Sequence, residues 1–238
     1  MNRKKEVIEI GLIAAKGITA IIPSLGGVLT SVWSDIEAIQ VKRKQERLEE
    51  FYLSLEDELE RIKEQINSSY VNQPDFLDIF DLTANQIVNE RTEEKRVLFK
   101  NIFINSIIEK DCSYDKTEKY LKIIEQLGLL ELHILRVLKD PAQFNKEQGE
   151  IIKDPNWIRP GVRNGVQFSM TYHFLVMLSQ LIKESEEDTA EAMSFLISNK
   201  LVMEETISSS LQTNGHPIHT LEEKLTSKGK DFISFLLR

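Results

Sequence analysis

Hydrophobic residues recur with helical spacing along the first half of the chain, and one stretch has a heptad pattern. Between residues 48 and 66 the apolar positions are alternately four and three residues apart, and charges of both signs fill the positions between them. This pattern is typical of an amphipathic helix with a continuous apolar stripe, as in coiled coils. We interpret the stripe as an assembly seam, and we expect Gln45 to be exposed. The seam consists of Leu48, Tyr52, Leu55, Leu59, Ile62 and Ile66.

Helical spacing continues beyond Pro74. It predicts either one bent helix or two helices between residues 76 and 108. A further helix is expected to be capped by Asp115 and to end near Gly128. Together with the heptad helix, these segments predict an antiparallel helical bundle over residues 1–128, so the chain should be mainly α.

The pattern changes after residue 128. Three helices are expected, at 130–138, 172–182 and 186–199, with a stretch between the first two that is punctuated by Pro and Gly. Two strands, 201–207 and 218–225, are expected to form a hairpin around Asn214-Gly215, before a last helix at 232–237. Three helices, a hairpin and a helix are in the order of a winged helix. We therefore predict a small winged-helix-like α+β domain over residues 129–238.

The run from Val7 to Trp33 is apolar and rich in small residues. No charged side chain lies between Gly17 and Trp33. This charge-free run is about as long as the shortest helix that crosses a bilayer, roughly 17 residues. Small residues allow close helix packing in lipid, and they equally allow tight packing inside a bundle. Both interpretations stay open. The membrane-insertion candidates are Gly11, Ala15, Lys16, Ile21, Ile22, Pro23, Leu25, Gly26, Gly27, Val28 and Trp33.

Charge and cysteine content narrow the classes of function. The net charge of -8 argues against a dedicated nucleic-acid binder, because such proteins place an excess of Lys and Arg against phosphates. Cys112 is the single cysteine, which excludes an internal disulfide and fits a reducing cytoplasm. Glu6 and Glu9 interrupt the signal-peptide-like start of the chain, so we expect a protein that is cytoplasmic at rest.

The sequence nominates no catalytic site. It lacks the common phosphate-loop, dinucleotide, zinc-protease and hydrolase motifs, and we predict that the protein is not an enzyme and needs no cofactor. The best candidate for a metal site is His216 and His219 with Glu222 or Glu223. Because alternate strand residues face opposite sides and a full tetrahedral set is missing, no metal is predicted.

The third helix of the predicted winged domain begins with carboxylates. Glu186, Glu187, Asp188 and Glu191 would repel phosphates instead of releasing counterions. Winged helices often read DNA through this helix. Here DNA binding is not expected, and the favoured interpretation is a module that contacts a protein or has a structural role.

Four short motifs resemble an uncharacterised bacterial family of helical-bundle plus winged-helix proteins, which is distantly similar to the abortive-infection alpha group of phage-defence proteins. The resemblance implies an antiphage role and supplies no active-site residues. The motifs are Pro23-Ser24-Leu25-Gly26-Gly27, Glu93-Glu94-Lys95-Arg96, Leu132-His133-Ile134-Leu135-Arg136-Val137-Leu138 and Leu225-Thr226-Ser227-Lys228-Gly229-Lys230-Asp231-Phe232.

Two functional hypotheses follow. In the first, the protein self-associates on a trigger, such as a phage-derived protein, and its apolar amino terminus then disrupts a membrane. In the second, the protein is a non-lytic oligomeric adaptor or regulator, whose winged domain binds a protein or nucleic-acid partner. Leakage of liposomes that depends on the amino terminus separates the two.

Overall fold

The chain folds as two compact units. The structure is a computed structural model that describes residues 13–38, 42–109, 113–153, 170–213 and 216–237, which are mainly helical. The first unit comprises residues 1–126 and 235–238, and the second comprises residues 127–234. The division from sequence, at 128/129, assigns the whole carboxyl terminus to the second domain, whereas residues 235–238 group with the first unit.

The first unit is a helical bundle. Where the sequence allowed one bent helix or two between residues 76 and 108, there are two, Pro74–Asn89 and Glu93–Ile108, which the non-helical residues 90–92 separate. The helices are α1 (13–21), α2 (Gly26–Ala38), α3 (Lys42–Ile62), α4 (Pro74–Asn89), α5 (Glu93–Ile108) and α6 (Tyr114–Gln126), with a 3-10 turn at Pro23–Leu25 between α1 and α2.

Aromatic side chains fill the middle of this bundle. The Phe103 ring on α5 lies 5.5 Å from the ring of Phe76 and 5.4 Å from that of Phe80, both on α4. On α3, Phe51 stacks on Phe80 at 6.0 Å. Buried aromatic pairs stabilise a core by about 0.5–1.5 kcal/mol beyond the area that they bury. Together these rings join α3, α4 and α5.

Two helix ends differ from the sequence-based expectation. The heptad helix ends at Ile62, whose backbone leaves the helical region (φ -104°, ψ 6°), and a 3-10 turn follows at Lys63–Gln65. The chain then turns, and the Asn67 amide holds this turn against α5 by donating to the Ile107 carbonyl at 2.9 Å. At the start of α6, Ser113 Oγ accepts from the Lys116 amide at 3.3 Å, so Ser113 caps this helix and the assignment to Asp115 was wrong.

The second unit combines short helices with a two-stranded sheet. Its strands are antiparallel, with Met170 opposite Thr213 and His173 opposite Ser210. The last helix, α11, ends in residues that group with the first unit. In chain order the elements are α7 (Leu129–Lys139), α8 (Pro141–Glu147), β1 (Met170–His173), α9 (Phe174–Ile182), α10 (Glu186–Ser198), β2 (Ser210–Thr213) and α11 (Ser227–Leu236).

The predicted hairpin between 201–207 and 218–225 was right in which stretches pair and wrong in its extent. Among the described residues these stretches pair at one bridge, Val202 with Leu225, next to a hydrogen bond from the Met203 amide to the Lys224 carbonyl at 3.0 Å. Parts of both form 3-10 turns, Glu204–Thr206 and Pro217–Leu221. Proline fixes the start of the second turn because it favours the first helical position. Asn214 and Gly215 lie outside the described residues.

Candidate functional site

The amino-terminal segment, residues 13–38, packs against the bundle with one face. Its apolar side chains recur at helical spacing and are buried, while the opposite face is exposed and carries few charges. The exposed face includes Lys16, Ala20, Gly27, Thr30, Ser31, Ser34 and Asp35. The buried face consists of Ala14, Ile18, Ile22, Leu25, Leu29, Val32, Trp33 and Ile36.

A break at Ile22 and Pro23 divides the segment into two helical pieces. Ile22 leaves the helical region (φ -126°, ψ 88°), and Pro23 opens the 3-10 turn that leads into α2. Proline cannot donate a backbone hydrogen bond, so α1 ends here. Next to the break, the Ser24 hydroxyl donates to the Val71 carbonyl at 2.6 Å. This bond ties the kink to the loop before α4.

The second piece of the segment rests on Tyr52 of α3. The Tyr52 hydroxyl donates to the Leu29 carbonyl at 3.0 Å, and its ring lies 6.0 Å from that of Trp33. Burial, with a smaller contribution from Asp81, raises the pKa of Tyr52 well above its usual value, so the hydroxyl keeps its proton. In contrast, Trp33 Nε1 is buried and has no acceptor among the described residues. A buried donor without a partner costs about 1–3 kcal/mol.

Glycine allows α1 to approach α3 closely. A Cβ at Gly17 would overlap the carboxyl group of Glu56, whereas a Cβ at Gly27 would meet no atom within 4 Å. The two helices border an open groove of about 590 Å³, to which Ala20, Ile21 and Glu60 contribute. A side chain at Gly17 would therefore require the Glu56 carboxyl group to move, while the structure gives no packing reason for Gly27.

The structure distributes the membrane-insertion candidates over both faces. Ile22, Leu25 and Trp33 are buried, Lys16, Pro23 and Gly27 are exposed, and Gly11 lies outside the described residues. The remaining candidates are half-buried: Ala15, Ile21, Gly26 and Val28.

The assembly seam is largely part of the chain's own core. Four of its members are fully buried, namely Leu48, Tyr52, Leu55 and Leu59, while Ile62 and Ile66 are half-buried. Contact between copies through this stripe stays a prediction, and it requires the core side of α3 to open. The expectation that Gln45 is exposed was wrong, since it is buried. It lies one heptad before Tyr52, so the heptad spacing already placed Gln45 on the buried face.

The histidines form a loose pair in the second unit. The rings of His216 and His219 are 6.4 Å apart, and His219 Nδ1 lies 2.9 Å from Glu222 Oε1. His216 is occupied as a cap, because its Nδ1 accepts from the Ile218 amide at 3.2 Å. In the described ranges no group of three or more His, Cys, Asp or Glu side chains could hold a metal ion.

Sequence reasoning missed a buried ion pair at the start of α5. Lys95 is buried, and its ammonium lies 3.2 Å from Glu90 Oε2 and donates to the Glu125 carbonyl at 3.0 Å. Glu90 also accepts from the Thr92 amide at 2.8 Å. The sequence analysis assigned no buried residue to the charged run from Glu90 to Arg96. The signal was present, since Lys95 stands three residues before the apolar Leu98 and so shares its helix face.

Packing explains the motif near the carboxyl terminus. Thr226 Oγ1 accepts from the Gly229 amide at 2.9 Å and donates to the Lys200 carbonyl at 2.7 Å, which caps α11. A Cβ at Gly229 would overlap the Leu201 carbonyl. This motif therefore needs threonine and glycine for structural reasons.

No helix among the described residues combines the length and the apolar character needed to cross a bilayer. Comparisons of the chain with protein-family models, curated proteins and solved structures found no match. The family resemblance of the four motifs stays a prediction.

Proposed function

We propose that the protein is a membrane-disrupting effector that stores its amino-terminal segment against the bundle and releases it on a trigger. The observation that carries this proposal is the way in which the segment is held. Its pieces are separated at Pro23, and Trp33 is buried although its indole N–H has no acceptor among the described residues. An indole N–H that is buried without a hydrogen bond makes the stored arrangement less stable. This favours a second arrangement, in which the N–H has a partner.

At a membrane surface the indole N–H of Trp33 gains the hydrogen-bond partner that it lacks among the described residues. Indole rings favour the membrane interface, where the ring is buried and the N–H meets water or lipid oxygen. Trp33 ends the charge-free run that begins at Gly17. A straight helix of that run is roughly 25 Å long, short of a hydrocarbon core of about 30 Å. Insertion therefore requires several copies or local thinning of the bilayer. The antiphage role and a phage-derived trigger rest on the family resemblance.

For the second unit we propose a winged-helix-like module that contacts a protein. Support comes from α9 and α10, which the three residues 183–185 join, with Lys183 in the left-handed region (φ 61°). Such a turn is typical of a helix-turn-helix. The exposed carboxylates at the start of α10 repel DNA. They also favour the second candidate function, a non-lytic adaptor that binds a protein partner through this helix.

Gly27 offers a test that leaves the stored state intact. Its side-chain position is open, and it lies in the first turn of α2, where a carboxylate is favourable. Gly27→Asp should therefore fold normally, yet it places a charge in the middle of the charge-free run. The cost of about 2.5–3.5 kcal/mol per inserted chain should reduce dye release from anionic vesicles by roughly 100-fold.

Gly27→Ala is the matched control, since it changes the same position without a charge. Dye release is measured with and without lysate from phage-infected cells. We expect the parent and Gly27→Ala to release dye and Gly27→Asp to fail. Equal release by Gly27→Asp, or no release by any variant in either condition, would replace the effector by the adaptor.

A further inference from the structure

We infer that release of the amino-terminal segment uncovers a surface on α3 that pairs with α3 of a second copy of the chain, in antiparallel orientation. This inference rests on the proposed function, since it requires the segment to leave. It assigns a place to the assembly seam, whose fully buried members cannot meet another chain in the stored state.

The segment covers the stripe at identified contacts. Leu29 and Trp33 lie on Tyr52 through the hydroxyl bond of 3.0 Å and the ring contact of 6.0 Å. One turn further along α3, Gly17 lies against Glu56. When the segment leaves, the Tyr52 ring and the flank of α3 around it lose their cover. An apolar strip of this kind needs a new partner, because exposure to water costs about 25 cal/mol per Å².

The charges of α3 select the partner. Residues 42–47 contain four cations and one carboxylate, whereas residues 49–60 contain six carboxylates and no cation. Two such helices side by side in the same direction place like charges together. In the antiparallel orientation the basic end of each meets the acidic half of the other. A helix with this polarity is thus complementary to itself under two-fold symmetry.

The heptad positions give the register. With Leu48 opposite Tyr52 of the second copy, Lys42 flanks the stripe opposite Glu56, on the flank of α3 that Gly17 contacts in the stored state. Lys44, on the other flank, stays on α4, because it donates to Asn89 Oδ1 at 2.7 Å. Two-fold symmetry repeats the pair of Lys42 and Glu56. Arg43 and Asp57 occupy positions on the far side of α3 and are exposed in the stored state, so they take no part in the pairing.

The experiment loosens the segment in the full-length chain and measures mass against concentration by analytical ultracentrifugation without lipid. Ser24→Ala with Tyr52→Phe removes two of the hydrogen bonds that hold the segment. Each loss should raise the released population about five-fold. Because pairing needs two released chains, the concentration of half-dimerisation should fall by ~100-fold or more. The Tyr52→Phe change keeps an aromatic ring in the pairing surface of α3.

Charge reversals in this loosened chain test the orientation. Lys42→Glu alone and Glu56→Lys alone should each weaken pairing by roughly ten-fold, and a mixture of the two should pair again as a heterodimer. Arg43→Glu and Asp57→Lys make the same charge changes one position away and should have no such effect. The inference is overturned if the loosened chain stays monomeric, if the controls weaken pairing equally, or if the mixture fails to pair.

This outcome is separable from that of the vesicle experiment. A chain that pairs in this register but never releases dye keeps the pairing surface and refutes the membrane effector. Dye release by a loosened chain that does not pair refutes the pairing surface and keeps the effector.

Discussion

Helix α5 and the amino-terminal segment are both apolar stretches of the first unit, but the bundle holds them in different ways. From Leu98 to Ile107 nearly every side chain of α5 is buried, polar ones included. Asn105 donates to the Phe235 carbonyl and the Ser106 hydroxyl to the Phe103 carbonyl. The segment buries one face, is broken at Pro23, and leaves the N–H of Trp33 without an acceptor in the part of the chain that the structure describes.

The difference separates an apolar helix that the fold requires from one that the fold can release. Surrounding helices pack against α5, so its removal exposes core on several sides. The segment exposes a single interface when it leaves. We therefore expect damage to α5 to be global and damage to the segment to be local, as regions of one protein open with different free energies.

Ile102→Asp should have the largest effect. Ile102 is fully buried on α5, and an unpaired carboxylate there costs about 4 kcal/mol or more. Thermal unfolding followed by circular dichroism should show loss of the cooperative transition of the first unit. Val97→Asp on the same helix is the control, since Val97 is 46% exposed, and it should change stability by about 0.5 kcal/mol or less. An unchanged transition for Ile102→Asp would contradict the central place of α5.

Ile18→Asp should destabilise the amino-terminal segment alone, because it also places an unpaired carboxylate at a buried position. Ile18 is also fully buried, but on α1. Hydrogen exchange should show rapid exchange over residues 13–38, with α4 and α5 as protected as in the parent. The contrast with α5 fails if α4 and α5 lose their protection together with the segment.

Glu90→Gln tests the anchor at the start of α5. Burial alone would raise the pKa of Glu90, but hydrogen bonds from the Thr92 amide and from Lys95 outweigh it and hold the pKa below the ordinary 4.5. A carboxyl group with a lowered pKa stabilises the fold above about pH 4.5, and this contribution disappears as the pH falls through the folded pKa.

The variant should therefore be less stable than the parent at neutral pH, by about 1–2 kcal/mol, because Lys95 loses the negative charge that faces it and keeps only neutral acceptors. The difference should shrink in acid. Melting temperatures of both proteins between neutral pH and pH ~3 measure it. A constant difference across this range would show that the charge of Glu90 does not anchor α5.

Local pattern was sufficient to predict the helices of the bundle, since their apolar residues recur at the helical period. It was insufficient where the partner lies far along the chain. β1 pairs with β2, and the first residues of the two strands, Met170 and Ser210, are forty positions apart in the chain. No spacing rule within the stretch 201–225 points to this pairing. Lys95 differs in part, because its place three residues before Leu98 already indicated the buried face, whereas its acceptor, the Glu125 carbonyl, lies on another helix.

The candidate site, too, could be predicted from the sequence only in part. Hydropathy identified the amino-terminal run as unusual, and the charge-free stretch is read directly from the residues. Which face of it is buried depends on contacts with Tyr52 and Val71. Those contacts are tertiary, so the sequence left packing and insertion open as alternatives.

Trp33→Phe should have the smallest effect, and it sharpens the comparison most directly. Phenylalanine removes the N–H that lacks an acceptor among the described residues, which recovers about 1–3 kcal/mol. It also leaves a cavity, at about 24 cal/mol per Å³. Because the two effects oppose each other, the free energy of unfolding should stay within about 1 kcal/mol of the parent. Tyr52→Phe in the facing helix removes a hydroxyl that has a partner, and it should cost about 1 kcal/mol. Chemical unfolding of the three proteins makes this measurement. If Trp33→Phe cost more than about 3 kcal/mol, the indole would be as firmly committed to the bundle as the side chains of α5, and the stored segment would have no reason to leave.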